Sequence, residues 1–488
     1  MASRQSTRSA LRRRYRVAAG GLGSALATVS AVKIGDTAEA RALLRELYRV
    51  AVDSVDGAHV LATYATVRED QWCFERGGRA LRLPLPARGE GGRLRLIGIG
   101  KVAAPMVEGV LASLGAAHQP DDALLIVPAV AEARARQLSA QFTVCVGDHP
   151  LPGAASGLAG QALIEFIGTP QATDRYIVLL SGGASALCAV PAAGLTLADK
   201  QLATELTMRA GAPIEELNTL RRALSAIKGG GLARRLAPAQ FVTVAISDVR
   251  SDDPTVIGSA PTVDCMQEPH RIVERLTVRG VWPRLPRRVQ ALLQQQALAP
   301  TQAGLPAAAS SPYAVIASLD DALQAVHREA QRRAITVHAL GRTFYDSTTV
   351  HAAELARRLN AERELGSDAG ARPVLWLAGG EPVVTLRGQG RGGRAQHFAL
   401  QLAERIDGVP AVCVLAAGTD GRDGPTDAAG GFADGGTWTR IRAAGGDPVA
   451  LLADDDSHQA LALAGDLFRT EATATNVADL VMAIAGYR

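Results

Sequence analysis

The chain has 488 residues, of which 47% are hydrophobic, 20% charged and 4% aromatic, and its formal net charge is +4. This length exceeds the usual limit of one hydrophobic core, so we expect two or more domains. The small net charge and the scarcity of aromatic residues argue against a nucleic-acid-binding protein. No apolar run reaches the ~18 residues that a membrane-spanning helix needs, and the five widely spaced cysteines favour a reducing compartment over a disulfide framework.

The first 35 residues contain no Asp or Glu and are rich in Arg and Ser. Such a segment is typical of a mitochondrial presequence, resembles a twin-arginine signal more weakly, and is equally consistent with a disordered extension or a mis-assigned start. We expect a cytoplasmic protein, with a mitochondrial one as the alternative, and leave residues 1–36 out of the fold. Apolar residues at helical spacing then predict that folded structure begins near residue 37.

The segment LRLIGIGKVAAP at 94–105 predicts a strand, a glycine turn and a helix. Gly98 and Gly100 fit the relaxed dinucleotide fingerprint GxGxxA. The acidic residues at 121–122 precede the next strand instead of ending it, which weakens the dinucleotide interpretation. Lys101 is a candidate to meet a phosphate together with backbone amides of this turn, and an ordinary surface lysine is the alternative.

A short apolar run at 176–180 predicts a buried parallel strand, and it ends in a glycine-rich loop. The polar and glycine residues of this loop are Ser181, Gly182, Gly183 and Ser185. Loops of this composition at the carboxyl end of a parallel strand commonly bind anions. A plain tight turn is the alternative.

The stretch from 218 to 231 predicts an amphipathic helix, with Asn218 as its N-cap and three glycines at its end. Asn218, Arg221, Ser225 and Lys228 fall within roughly 80° on one face. This stripe indicates either a solvated basic face or an anion site.

The next apolar strand, at 241–246, is followed by Asp248 and then by Asp252 and Asp253. Carboxylates at the end of a parallel strand are where Mg²⁺ would be held beside phosphates. A turn rich in Asp and Pro is the alternative.

Strands and helices alternate throughout this part of the chain, which predicts an open, mostly parallel α/β sheet. Between about residues 283 and 312 the composition shifts to Ala, Gln, Pro and Ser, and βαβ alternation restarts at 313. We therefore expect a first α/β domain at 37–285, a linker-like segment at 286–312 and a second α/β domain at 313–488.

Two polar loops stand out in the last third. The loop GQGRGGR at 388–394 carries Arg391 and Arg394 ahead of a helix, an arrangement suited to gripping a phosphate or carboxylate. The loop after the strand at 411–417 contains Asp420 and Asp423. Its composition resembles a calcium loop, but the EF-hand order is absent.

Eight segments in sequence order resemble the class II glycerate kinases, namely GIGKVA, SGGASAL, GAPIEELNTLRRALSAIKGGGL, SDVRSDDPTVIGSAPTV, GGEPVV, GQGRGGR, GTDGRDGPTDAAG and ATNVADL. The resemblance implies a Rossmann-like N-terminal domain, a MOFRL-type C-terminal domain and an active site in the cleft between them. It implies phosphorylation of D-glycerate with ATP and Mg²⁺, in most members giving 2-phosphoglycerate. The expected partners are these small molecules and a second copy of the chain in a homodimer, with no nucleic acid and no membrane.

The resemblance also implies that the key lysine and arginine are Lys101 and Arg394, with Arg391 as the alternative arginine. Phosphoryl transfer needs positioned groups that meet developing negative charge. To nucleotide or substrate binding we assign Ser181, Gly182, Gly183, Ser185, Asn218, Ser225, Lys228, Asp420 and Asp423. To Mg²⁺ we assign Asp248 and Asp252. No residue stands out as a general base.

The chain departs from the family pattern at several sites, including Ala260, Ala395, His397, Asp455 and Glu471. A Gly-to-Ala change matters only where the backbone needs a positive φ, whereas Ala395 and His397 change the chemistry beside the proposed arginine. Two other functions therefore stay open. One is an NAD(P)H-dependent hydroxypyruvate reductase, supported by GxGxxA alone, and the other is a degenerate member that binds ligand without turnover.

Overall fold

The structure is a computed structural model, and it describes residues 34–86, 91–265, 269–298, 311–365 and 373–487. The N-terminal segment on which the targeting interpretation depends lies outside the described residues, as does part of the expected linker. Across the described ranges, no helix combines the length and apolar character needed to span a bilayer.

The helices alternate with strands through most of the chain. The α-helices of the described residues are α1 (Thr37–Ser54), α2 (Gly57–Tyr64), α3 (Ala103–Leu114), α4 (Glu132–Arg136), α5 (Ala154–Ile167), α6 (Ala184–Leu187), α7 (Leu197–Arg209), α8 (Ile214–Ala223), α9 (Gly231–Leu236), α10 (Pro269–Val278), α11 (Arg287–Leu298), α12 (Leu319–Arg332), α13 (Thr348–Leu365), α14 (Arg394–Arg405), α15 (Thr437–Ala443), α16 (Pro448–Ala453) and α17 (Ser457–Ala464).

The strands form three sheets. They are β1 (Ala65–Arg68), β2 (Gln71–Arg76), β3 (Arg79–Pro84), β4 (Leu94–Ile99), β5 (Asp122–Pro128), β6 (Thr143–Gly147), β7 (Arg175–Leu180), β8 (Gln240–Ile246), β9 (Tyr313–Ala317), β10 (Thr336–Phe344), β11 (Val374–Gly380), β12 (Val412–Gly418), β13 (Gly430–Asp434), β14 (Leu467–Phe468) and β15 (Asp479–Ala485).

The first large sheet is parallel throughout, in the order β6-β5-β4-β7-β8-β9. Strand β4 is buried along its whole length, and β7 and β8 are buried except for their first residues. Helices cover both faces of a parallel sheet, so its strands need apolar side chains on both faces. The strand order reverses between β4 and β7, where a doubly wound sheet opens a crevice at its carboxyl edge. The expected Rossmann-like fold is confirmed.

Strand β9 completes this first sheet, since it pairs in parallel with β8. The sequence analysis placed residues 313–488 in the second domain, so this part of the expected boundary is corrected. The βαβ pattern is the same on both sides of residue 313, and a strand's sequence does not state which sheet it will join. The change of sheet falls between β9 and β10.

The second large sheet is mixed, in the order β10-β11-β15-β12-β13-β14. Strands β10 and β11 are parallel, whereas β15 runs antiparallel to both β11 and β12. The last strand in sequence therefore lies near the middle of the sheet. The small third sheet, β1-β2-β3, is an antiparallel meander.

Helix α1 begins at Thr37, as expected, but it packs on strands of the second sheet. Tyr48 donates a hydrogen bond of 2.7 Å to the carbonyl oxygen of Gly418. Arg41 forms ion pairs with Asp434 and Asp466 at 2.5 and 2.6 Å. One apolar cluster contains residues of α1 together with β4, β8, β11, β12 and β15, so the two large sheets share a core.

The segment 218–231 is not a single helix. Helix α8 begins one turn before Asn218, so Asn218 lies within the helix and is not its N-cap. Two glutamates in the first turn favour the earlier start, because negative charge stabilises a helix N-terminus. The helix ends before Ser225, which forms an isolated bridge with Pro191. Lys228 therefore lies in irregular structure.

Candidate active site

The first part of the site is the contact between the turn after β4 and the loop after β7, which we call the serine-glycine loop (Ser181–Ser185). The amides of Gly100, Lys101 and Val102 donate to β5 and to this loop at 3.0, 2.9 and 3.2 Å. A Cβ at Gly100 would overlap Ser181. The glycine turn thus allows the two loops to pack closely. Its amides are already hydrogen-bonded, so they cannot bind a phosphate together with Lys101, as we had expected.

The serine-glycine loop has free donors instead. The amide groups of Gly182 and Gly183 donate no hydrogen bond to any described residue. The Ser181 hydroxyl accepts from the Val102 amide and is buried, so it holds the two loops together. Of the predicted loop residues, the two glycines are therefore the ones that present unused polar groups.

The second part of the site comes from three strand ends of the second sheet. Glu381 follows the end of β11, Asp420 follows the end of β12, and Asp479 is the first residue of β15. Because β15 is antiparallel to its neighbours, Asp479 pairs with Gly380 and Gly418 at the same edge. Sequence analysis missed Glu381 and Asp479 as site residues.

Arg394, in the first turn of α14, binds two of these acids. Its Nε donates to Asp479 Oδ2 at 2.6 Å and its Nη2 to Glu381 Oε1 at 2.8 Å. Burial alone would lower the pKa of Arg394, but the charges of Asp479 and Glu381 outweigh it and raise the pKa. Burial raises the pKa of each acid as well. The guanidinium is thus held rigidly in its charged form.

Lys101 and Asp248 join the two parts. Lys101 Nζ lies 3.3 Å from Asp420 Oδ2, and the Asn476 side-chain amide donates to Asp248 Oδ2 at 3.2 Å. Burial raises the pKa of Asp248, and the positive charge of Lys101 opposes this rise. A side chain at Gly182 would overlap both Asp248 and Asn476.

We call this group the inter-domain centre. It consists of Lys101, Asp248, Glu381, Arg394, Asp420, Asn476 and Asp479. Lysine, arginine and carboxylate side chains from two sheets meet there, an arrangement suited to holding a polyanionic group and a divalent cation.

His149 also lies beside this centre and was missed by the sequence analysis. Its ring approaches the serine-glycine loop, since a Cβ at Gly183 would lie 3.0 Å from His149 Cδ2. Burial and then the charge of Lys101 lower the pKa of His149. The imidazole is therefore neutral at pH 7 and able to accept a proton.

Asp423 does not face the centre. It is buried at the N-terminus of α14, where its carboxylate accepts the amides of Ala395 and Gln396 at 3.1 and 2.8 Å. Burial raises its pKa to about 6. The expected nucleotide contact is corrected to a helix cap that orients the turn carrying Arg394.

Arg391 is exposed, and its Nε donates to the carbonyl oxygen of Pro425 at 3.2 Å. It lines a polar cavity of 480 Å³ that also includes Gly421 and Arg422, next to Asp420 in sequence. Arg394 is therefore the arginine of the inter-domain centre, and Arg391 belongs to the cavity beside it.

Asp252 does not join Asp248. It forms an ion pair with Arg342, which also pairs with Asp320 at 2.8 Å. Sequence spacing suggested a shared metal site, but the arginine 90 residues later neutralises Asp252. In the described part of the chain, no cluster of three or more His, Cys, Asp or Glu side chains has the arrangement of a metal site.

Two carboxylates nonetheless suit Mg²⁺, which takes one or two protein carboxylates and completes its shell with waters and substrate phosphates. Asp248 accepts a hydrogen bond from a neutral amide only, and its raised pKa reflects a buried carboxylate with little compensation. The charge of Asp420 acts on Asp248, so the two carboxylates lie within the same centre. The residues present therefore fit the ion.

The predicted polar stripe lies outside the centre. Asn218 accepts from Arg221 at 3.4 Å, and the Ser225 hydroxyl donates to the backbone. Lys228 Nζ donates to the carbonyl oxygen of Ser185 at 2.8 Å and to its hydroxyl. The stripe thus contacts the far end of the serine-glycine loop.

The departures from the family pattern supply none of the side chains of the inter-domain centre, although Ala395 directly follows Arg394 in helix α14. Ala395 is buried in the α14 cap. His397 Nδ1 lies 3.8 Å from Asp455 Oδ1, so these two departures contact each other. Ala260 has a φ of 57°, where glycine is favoured.

Comparison with known proteins gives consistent matches. Residues 43–294 match the family described as a domain of unknown function, DUF4147, and residues 374–479 match the MOFRL family. A D-glycerate 2-kinase from Thermotoga maritima is 31% identical over 343 residues, covering 70% of this chain and 80% of the relative. An Agrobacterium vitis protein provisionally named hydroxypyruvate reductase is 34% identical over 410 residues, 82% of this chain and 89% of the relative. The crystal structure of a Thermotoga maritima glycerate kinase superposes with a TM-score of 0.76 at 26% identity, covering 92% of this chain and 100% of the other.

Proposed function

The chain belongs to the glycerate kinase family that combines a DUF4147 domain with a MOFRL domain, and we propose that it transfers the γ-phosphoryl group of ATP to D-glycerate, giving 2-phosphoglycerate. The observation that carries the proposal is the meeting of Lys101 from the first sheet with Arg394 and its carboxylates from the second. Two cations held in one centre suit a phosphoryl transfer, because negative charge spreads over the phosphoryl oxygens in the transition state.

In this proposal Lys101 and Arg394 neutralise the transferred group and orient the substrate. Their charges are already fixed by Asp420, Asp479 and Glu381, so little reorganisation is needed during reaction. The free amides of the serine-glycine loop add donors for phosphate oxygens. The neutral imidazole of His149 is available to accept the hydroxyl proton.

We further propose that Asp248 and Asp420 hold Mg²⁺. When bound, the ion would neutralise part of the negative charge of the phosphates and orient the phosphate oxygens. We also propose a cytoplasmic location, supported by the five free cysteines, and a homodimer, which light scattering on the purified full chain would test.

The reductase alternative is weaker on structural grounds. Its sequence support was GxGxxA, and a dinucleotide pyrophosphate needs the amides of that turn. Those of Gly100, Lys101 and Val102 are all engaged within the protein. The degenerate alternative rested on departures that supply no side chain of the inter-domain centre.

A coupled assay with D-glycerate, ATP and Mg²⁺ tests the proposal. We expect Lys101→Met to lower kcat about 1000-fold and Arg394→Lys about 100-fold, because a lysine keeps the charge but not the two-pronged grip. Arg405→Met, which removes an arginine from the other end of α14, should leave kcat within about twofold of wild type.

Equal rates in wild type, Lys101→Met and Arg394→Lys would reject the site assignment. Oxidation of NADH with hydroxypyruvate, in the absence of ATP, would favour the reductase instead. Identification of the product by NMR distinguishes the 2-phosphate from the 3-phosphate.

A further inference from the structure

A second group of cations lies on the far side of the serine-glycine loop. It consists of Lys200 on α7, Arg221 on α8 and Lys228 in the segment that follows, and we call it the lysine pocket. The two lysines are only 4% and 3% exposed. Each of the two is affected by the charge of Arg221, and Lys228 also by that of Lys200, so the three cations lie close enough for their charges to interact.

Among the residues that the structure describes, the pocket has no carboxylate partner. Lys200 Nζ is buried and makes no hydrogen bond, and Lys228 donates only to Ser185. Arg221 donates to the side-chain oxygen of Asn218. Within the described ranges, none of the three cations forms an ion pair with an acidic side chain.

Such a group is unfavourable in the free protein. A buried ammonium loses its hydration, and like charges nearby raise the free energy further. Burial lowers the pKa of Lys200 to about 8, and burial together with the other two cations lowers that of Lys228. At pH 7 most molecules still carry a proton on Lys200, and no acidic side chain of the described residues pairs with it.

The use of lysine in this chain points to the same place. Only four of its 52 basic side chains are lysines, at positions 33, 101, 200 and 228. The three described ones lie in the inter-domain centre or in the lysine pocket, whereas the exposed ion pairs of the described residues use arginine or histidine. The ammonium group of lysine is a compact charge with three rotatable donors, whereas the guanidinium group of arginine is planar.

We infer that the lysine pocket is a binding site for a phosphate group. Three cations exceed what one carboxylate would balance, and a dianionic phosphate supplies both the charge and several acceptor oxygens. Lys200 Nζ offers three unused donors. The phosphate can belong to a nucleotide, to a phosphorylated product or to free inorganic phosphate, and the experiment separates these sources.

Binding is measured without turnover, so the inference does not depend on the proposed kinase activity. The full chain is titrated with inorganic phosphate at constant ionic strength by calorimetry and by thermal melting. We expect Lys200→Met and Arg221→Met each to weaken phosphate binding about 10- to 100-fold. Arg209→Met, which removes an exposed cation from the same helix as Lys200, should bind phosphate like wild type.

A second measurement separates a ligand site from a structural lysine. Without phosphate at pH 7, Lys200→Met should melt about 2–5 °C above wild type, because it removes an uncompensated buried charge at similar volume. It should also lose the rise in melting temperature that phosphate gives wild type.

Parallel titrations with ADP and 2-phosphoglycerate identify the source of the phosphate. The compound whose affinity falls in Lys200→Met together with that of inorganic phosphate is the one whose phosphate occupies the pocket. If neither compound is affected, the site takes free phosphate. The inference is overturned if wild type shows no phosphate binding, or if Lys200→Met and Arg221→Met both bind phosphate as tightly as Arg209→Met.

Discussion

The inter-domain centre and the lysine pocket lie on either side of one loop, and they differ in whether their cations have acidic partners. In the centre, Arg394 lies between Asp479 and Glu381. In the pocket, Lys200 has no acidic partner at all among the described residues. The cations of the centre are therefore balanced before any ligand arrives, whereas those of the pocket gain their compensation only from a ligand. The same type of residue should stabilise the free protein in one region and destabilise it in the other.

The largest expected effect comes from removing the balanced cation. Arg394→Met leaves Asp479, which is 7% exposed, as an uncompensated buried carboxylate. We expect a loss of about 3 kcal/mol in the free energy of unfolding, the lower end for a broken buried pair because Arg394 itself is 37% exposed. Urea unfolding of the variant beside Arg405→Met measures this; equal midpoints would remove the contrast between the two regions.

The opposite sign is expected for the unbalanced cation, and it depends on pH. The pKa of Lys200 is lowered from 10.5 in the unfolded chain to about 8, so the folded state is penalised below pH 8 and the penalty disappears as pH rises to 10.5. Lys200→Met should exceed wild type in stability by on the order of 2 to 3 kcal/mol at pH 7. Denaturant unfolding from pH 7 to 10.5 should show the difference shrinking, and a constant difference would contradict the assignment.

Asp423, which caps the helix of Arg394, should respond in the reverse direction. Its pKa is raised from 3.8 to about 6, so the folded state binds its proton more readily than the unfolded chain. Stability should therefore fall as pH rises from 3.8 to 6, by on the order of 2 kcal/mol. Asp423→Asn should lack this part of the pH dependence. Unfolding curves of the two proteins at pH 4, 5, 6 and 7 test it, and parallel curves would count against it.

The smallest expected effect concerns the backbone next to the lysine pocket. Ala260 has a φ of 57°, and its carbonyl oxygen accepts the amide of Gly230. A left-handed conformation costs a residue with a Cβ about 1 kcal/mol relative to glycine. Ala260→Gly should therefore raise stability by about 1 kcal/mol, read from the urea midpoint. Ala472→Gly is the control, since Ala472 is not among the residues with positive φ, and it should not be stabilised.

The sequence predicted the parts of the site that depend on local patterns. Lys101 and Asp248 follow buried parallel strands of the first sheet, so their positions at the carboxyl edge could be inferred from the alternation alone. Arg394 was predicted as a site residue because it lies in the glycine-rich loop that precedes a helix. These are short-range signals, and the structure brings all three residues to one edge.

Other contacts could not be predicted because they depend on pairing between distant segments. Asp479 joins the centre from the start of an antiparallel strand, a direction that its sequence does not reveal. Asp252 forms an ion pair with Arg342, which lies 90 residues later in the sequence. Lys200 looked like an ordinary residue of a helix, and only tertiary packing places it beside Lys228.

The central position of β15 has a consequence for how the protein is made. Residues 479–485 complete a sheet whose other strands are all synthesised earlier, and Asp479 belongs to this strand. During translation, β11 and β12 each keep one edge unpaired until this segment leaves the ribosome. Helix α1, which precedes every strand of this sheet in the chain, packs on the same sheet and depends on the same step. Native assembly of the second sheet is thus postponed until its last strand has been synthesised, which exposes the nascent chain to aggregation. A frameshift or nonsense mutation shortly before residue 479 would remove the middle strand of the sheet and a carboxylate of the centre together.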